Sequence, residues 1–375
     1  MEKKKIAYTG PGKYVQACGI ISQLPQYTML YGRRAFLLSD RYFEKDYGAW
    51  FLKLYQENGL DCVVEIFGGE NSRKEADRCC KEAERRKADC VVGFGGGKTL
   101  DCGKYIADAL KLPFICVPTT ASTDAPCSSL SIIYDGEADK REVLRCHSNP
   151  DLVLVDSEII ADAPVRFLKA GIGDALATYF EALANERSGG GNFAGSDCVR
   201  TRLSLAAAEC CYGILKQYSR QAVADARRHK VTQPLEYVIE ANILLSGIGF
   251  ENAGCAGAHS ISGGIGALEE CKNMMHGEKV AFGTLCQVYL ERHGDAVLYD
   301  LMELCVELGL PVTLDELGIK TEREKKAELI AKGSLDKFWD AEPMKITTED
   351  ITDAILTVDS LGARWKETWK KGDAE

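Results

Sequence analysis

The chain carries two hydrophobic textures, and the change between them falls at Pro164. Before it, short apolar and β-branched runs alternate with longer stretches in which apolar residues recur every three or four positions. The runs RRAFLLSD, CVVEIFGG, DCVVGFGG and PFICVPT predict strands, and the intervening FEKDYGAWFLKLYQENG and SRKEADRCCKEAERRKA predict helices. That alternation predicts a doubly wound, mostly parallel sheet with helices packed on its faces. Next, SSLSIIYD and REVLRC flank the turn GEAD and predict a hairpin, and NPDLVLVDSEII predicts one strand more. After Pro164 the helical period dominates, most clearly in VRFLKAGIGDALATYFEALAN, TRLSLAAAECCYGILKQYS and PLEYVIEANILLSGIGFENAG. The expected organisation is an α/β domain over 1–163 followed by an all-α domain over 164–375.

One turn stands out chemically. The strand DCVVGFGG runs into GFGGGKTLD, which places four glycines within five residues ahead of a predicted helix. It is not a Walker A loop, because the first glycine of that pattern falls on Val92, and it is not GxGxxG, because the third glycine falls on Lys98. Bare backbone N–H groups and a helix N-terminus still suit a pyrophosphate, while a tight strand-to-helix turn without a ligand is the plainer alternative. Neighbouring strand ends carry polar groups. Asp40 closes RRAFLLSD, where it suits ribose hydroxyls and disfavours a 2′-phosphate, or simply caps the following turn. PFICVPT leads into VPTTASTDAPCSS, a dense set of hydroxyls around Asp124.

The helical half offers metal ligands. Two of the five histidines, His259 in AGCAGAHSISGGIG and His276 in NMMHGEKVAFG, sit among glycines, and Asp174 follows Gly171 and Gly173 at what reads as a helix start. Singly, each has a structural explanation, a helix cap in the case of Asp174. Together they supply three N/O ligands and leave a fourth position open, the catalytic arrangement for Zn²⁺. Spacing does not establish that they meet.

Composition narrows the class of partner. A chain of 375 residues, 46% hydrophobic, has material for two cores. The net charge of −10, without a dominant basic run, argues against nucleic acid and anionic membranes as partners and favours a small molecule. No run approaches the roughly 20 apolar residues of a spanning helix, and the N-terminus lacks an apolar leader, so a cytoplasmic location is expected. Sixteen scattered cysteines, with neither CxxC nor zinc-ribbon spacing, predict buried reduced thiols.

The ordered set GGGKTLD, VPTTASTDAPCSSLSIIY, GIGDALATYFEA, AHSISGG and HGEKVAFGTL resembles the glycerol dehydrogenase family, within the iron-containing (group III) alcohol dehydrogenase superfamily, over most of the chain. The resemblance implies a dehydroquinate synthase-like architecture: a dinucleotide-binding α/β domain, a helical catalytic domain and a metal in the cleft between them. It implies NAD contacts from Asp40, Gly96, Gly97, Lys98, Thr119, Ser122, Ser128, Leu130 and Tyr134, with Asp101 tying down the turn at that cofactor. It further implies a substrate contact from Asp124 and metal ligation by Asp174, His259 and His276. Iron-using relatives add a histidine four residues after the aspartate, where this chain has Thr178, so Zn²⁺ is favoured over Fe²⁺. Ser262 stands where glycerol dehydrogenases commonly carry a second histidine.

The implied activity is hydride transfer between NAD and a small polyol, glycerol to dihydroxyacetone first, in a homo-oligomer such as an octamer. The alternative is a relative that works on 2-hydroxy or 2-oxo acids with NAD(P). It needs a cation for the substrate carboxylate, and the matching motifs show none.

Overall fold

The computed structural model describes residues 4–134 and 141–372. Its strands in chain order are β1 (Lys5–Ile6), β2 (Tyr14–Ala17), β3 (Arg34–Ser39), β4 (Asp61–Ile66), β5 (Cys90–Gly95), β6 (Phe114–Pro118), β7 (Leu130–Tyr134), β8 (Arg141–Arg145), β9 (Leu152–Asp156) and β10 (Cys198–Val199). Six of them form one parallel sheet in the order β2-β9-β6-β5-β3-β4. The central strands β5, β6 and β9 are buried along their whole length, as the unbroken apolar runs CVVGFG, FICVP and LVLVD require of strands covered on both faces. Phe94 of β5 packs against Phe43, Tyr47 and Phe51, which fastens the Glu44–Glu57 helix to the sheet. β7 and β8 pair antiparallel as the predicted hairpin does, and its expected GEAD turn lies outside the described residues.

The chain divides into two compact units that are not two contiguous blocks. The α/β unit comprises 10–164 and 225–247, and the helical unit comprises 1–9, 165–224 and 248–375. Two segments therefore depart from the boundary expected after residue 163. Residues 4–9 join the helical unit because β1 pairs in parallel with β10, and because Asn252 stands in for a strand partner at Thr9, accepting its N–H at 2.7 Å and donating to its carbonyl at 2.8 Å. That pairing is a strand element in a unit expected to be wholly helical. Residues 225–247 join the α/β unit through Glu236, whose backbone carbonyl takes the Gln16 side-chain amide of β2 at 2.9 Å.

In the helical unit, the Val165–Ser188 and His276–Leu290 helices cross with almost no space between backbones. A Cβ at Gly277 would lie 1.8 Å from the Ala170 carbonyl oxygen, and one at Gly173 would lie 2.4 Å from that of Gly277. Glycine at both positions is a requirement of the crossing. Among the described residues, no helix is long and apolar enough to cross a membrane.

Candidate functional site

The close crossing puts the first residue of one helix beside the interior of the other. Asp174 lies well inside the Val165–Ser188 helix, not at its start as the glycines of GIGD suggested, and it is 2% exposed. His276 opens the His276–Leu290 helix, and its Nε2 faces Asp174 Oδ1 at 3.3 Å. His259, in the first turn of the Gly257–Gly266 helix, brings its Nε2 to 3.6 Å from the same oxygen. The ligand atoms of the three residues all lie within 4.8 Å of one another.

Asp174 Oδ1 is buried and accepts no hydrogen bond. A buried carboxylate oxygen without a donor costs on the order of 1–3 kcal/mol or more, so a native protein keeps one only for a reason. Two imidazole nitrogens aimed at that oxygen supply the reason, since a cation among the three atoms satisfies them all. Burial works against ionisation of Asp174, but His276 and His259 outweigh it and hold the carboxyl well below its ordinary range.

His259 is gripped from behind. Its Nδ1 lies 2.7 Å from Glu181 Oε2, and Glu181 Oε1 accepts the backbone N–H of His259 at 3.0 Å and that of Ala256 at 2.8 Å. Glu181 is fully buried. A second group of potential ligands, Glu181, Cys255 and His259, shares this histidine. Its carboxylate is already engaged by those three donors, so the trio around Asp174 is the better metal site.

In the α/β unit, the carboxyl ends of β3, β5 and β6 bring the other expected residues together. The glycines of GFGGG fall into two kinds. A Cβ at Gly93 would press on the Phe114 ring at 3.0 Å and one at Gly95 on Thr99 at 2.8 Å, so packing explains both. A Cβ at Gly96 would meet nothing within 4 Å, and one at Gly97 only Thr123 Oγ1 at 4.0 Å. Gly96 also has an ordinary extended backbone, with φ of −82°. Nothing in the protein demands glycine there, which leaves a cradle open in front of the Gly97–Leu110 helix N-terminus.

Asp40 both caps and reaches. Its Oδ1 accepts the Tyr42 N–H at 2.9 Å, and its Oδ2 lies 3.4 Å from Thr99 Oγ1 in the first turn beside the cradle. Lys98 pairs with Glu70 at 2.7 Å and sits 4.9 Å from the centre of the Tyr134 ring. Thr119 is buried, with its N–H on the Gly95 carbonyl at 3.0 Å, and Ser122 pairs with Thr120 at 3.1 Å. Ser128 and the Leu130 carbonyl receive the buried ammonium of Lys104 at 3.4 and 2.7 Å.

Asp101 faces inward: its carboxylate lies 3.2 Å from the Lys104 ammonium and accepts the Ile132 N–H at 3.0 Å, and so ties the helix to β7. Asp124 directly precedes the short Ala125–Cys127 turn, is 9% exposed, and accepts the Ser246 hydroxyl at 2.8 Å.

Residues 11–157 match the iron-containing alcohol dehydrogenase family. A glycerol dehydrogenase of Escherichia coli is 40% identical over 362 residues, 96% of this chain and 98% of that protein. The chain belongs to the iron-containing alcohol dehydrogenase family. A glycolaldehyde reductase of Halobacterium salinarum is 38% identical, over 96% of this chain and 99% of its own. The crystal structure of glycerol dehydrogenase from Schizosaccharomyces pombe, 36% identical, superposes with a TM-score of 0.93 over 98% of this chain and 94% of its own. As a member of that family the chain is an alcohol dehydrogenase enzyme.

Three residues that contact the candidate site residues of this alcohol dehydrogenase escape a reading of the sequence. Glu181 could have been found, because seven residues after Asp174 on one helix is two turns along the same face. Ser246 directly follows a π-helical turn, Ala241–Leu245, that apolar periodicity does not betray. Glu70 lies past the end of β4, in a loop whose partner is set by the sheet order alone.

Proposed function

We propose that the protein is a zinc- and NAD-dependent polyol dehydrogenase, with glycerol and 1,2-diols as substrates. The observation that carries the reading is the buried Asp174 Oδ1, without a hydrogen bond and faced by two imidazole Nε2 atoms. Asp174, His259 and His276 would hold the metal, and three protein ligands with an open fourth position suit a catalytic zinc. Zinc is preferred to iron because Thr178 replaces the fourth, histidine ligand of iron-using relatives.

When bound, the metal lowers the pKa of an alcohol hydroxyl and the nicotinamide accepts a hydride. The chain supplies position. Glu181 keeps the His259 proton on Nδ1 and its lone pair on Nε2. The open faces of Gly96 and Gly97, the first N–H groups of the helix and the Lys98 ammonium suit a pyrophosphate. The Asp40 carboxylate suits an unphosphorylated ribose and repels a 2′-phosphate, which favours NAD over NADP. Asp124, oriented by Ser246, suits a second hydroxyl of a vicinal diol. Glycerol heads the substrate class because relatives at about this identity carry that activity in their names.

The test is direct. Protein loaded with Zn²⁺ is given NAD⁺ with glycerol, 1,2-propanediol or a 2-hydroxy acid, and NADH formation is followed. Turnover of the diols, abolished by a chelator, is expected; turnover confined to hydroxy acids would overturn the substrate reading, and full turnover by metal-free protein would overturn the zinc reading.

A further inference from the structure

The Gly257–Gly266 helix, which carries His259, begins inside the helical unit, where its first N–H groups have to be met by side chains. Each finds one. Ala256 and His259 donate to Glu181, Ala258 donates to Gln287 Oε1 at 2.8 Å, and Gly257 donates to Glu342 Oε1 at 2.9 Å. Glu342 takes no part in any step described above. It is 6% exposed, and its second oxygen accepts no hydrogen bond.

Its surroundings seat it firmly on that first turn. The segment around the Lys337–Ala341 turn lies along the helix, with Asp336 accepting the Ser260 hydroxyl at 2.6 Å. Gly257 makes the approach possible, because a Cβ there would stand 2.9 Å from Glu342 Oε1 and 3.0 Å from the Trp339 ring. Burial, with Glu291 and Glu181 nearby, pushes the Glu342 carboxyl up to about 8, so it is largely protonated at neutral pH.

We propose that Glu342 is a positioning residue of the metal centre: by accepting the Gly257 N–H it fixes the first turn of the helix and with it the direction of His259 Nε2. The role needs an acceptor at that point and no negative charge. An amide supplies the same acceptor, and it places an N–H donor where the second carboxyl oxygen has no partner. A methionine fills the volume and accepts nothing of comparable strength.

This inference rests on the metal reading above, and the two fail separately. Zinc affinity is measured for the full-length wild type, Glu342→Gln and Glu342→Met by competition with a chromophoric chelator. The visible spectrum of the Co²⁺-loaded proteins reports ligand geometry, and circular dichroism of the metal-free proteins reports folding. Expected are affinity within about twofold of wild type for Glu342→Gln, and roughly tenfold or greater weakening with shifted Co²⁺ bands for a folded Glu342→Met.

Unchanged affinity and spectrum in Glu342→Met overturn the positioning role. So does equal impairment of both variants, which would make the charge the essential feature, and so does a Glu342→Met protein that does not fold, which would make Glu342 a requirement of the fold. A wild type that binds no zinc overturns the metal reading itself.

Discussion

His259 Nδ1 stands 2.7 Å from Glu181 Oε2, and this contact decides which nitrogen of the ring faces Asp174. A carboxylate behind a metal-ligating histidine fixes its tautomer and orientation, and its loss typically weakens metal binding roughly 10–100-fold. Glu181→Ala is expected to do the same here, read by equilibrium dialysis against Zn²⁺. Wild-type affinity in a folded variant would remove Glu181 from the centre.

The helix crossing makes a prediction about stability. Gly277→Ala would set a methyl group against the Ala170 carbonyl, a backbone atom that cannot turn aside. Overpacking of that kind costs about 3 kcal/mol or more, so the variant should melt well below wild type even when metal-free. An unchanged melting temperature would mean that the helices separate freely.

Gly96 behaves in the opposite way. Its missing side chain faces open space and its backbone is unstrained, so Gly96→Ala should leave the melting temperature within a degree or two. It should nevertheless weaken NAD⁺ binding about tenfold or more by occupying the cradle, as titration calorimetry can measure. Loss of stability without loss of affinity would make Gly96 a packing residue like Gly95.

Glu342 predicts a pH dependence whose sign follows from its shift. The folded carboxyl titrates near 8 and the ordinary value is 4.5, so between these limits the folded chain holds a proton that the unfolded chain has released. The stability it contributes is full below about pH 4.5 and is lost as pH rises through about 8, a change on the order of a few kcal/mol. Denaturant unfolding of the metal-free protein at pH 5 and pH 8 should show that loss in wild type and a smaller one in Glu342→Gln. Parallel profiles would place the titration elsewhere.

Much of the α/β unit was legible because strands buried on both faces must be written as unbroken apolar runs, as β5, β6 and β9 are. β2 was not legible, since its four residues are only half-buried and sit among Gly12, Pro11 and Gly19. Asp174 was recognised as a ligand candidate but placed at a helix start, because glycines read as a break where the fold uses Gly173 for close approach. Each of the three candidate ligands could be found singly. Their meeting could not, because it depends on a backbone contact between helices far apart in sequence. Glu342 is illegible for the same reason: its partner, the Gly257 N–H, has no side chain to advertise it.

The interleaving of the units bears on how the chain is made. Domains generally fold as units during synthesis, the N-terminal one first. Here β1 meets its strand partner, β10 at Cys198–Val199, only after the long intervening stretch of chain has been translated. The α/β unit likewise waits for residues 225–247. A nascent chain halted just after Pro164 therefore carries β1 without its strand partner and with the exposed side chain of Ile6, and that stretch is where a chaperone would be expected to act.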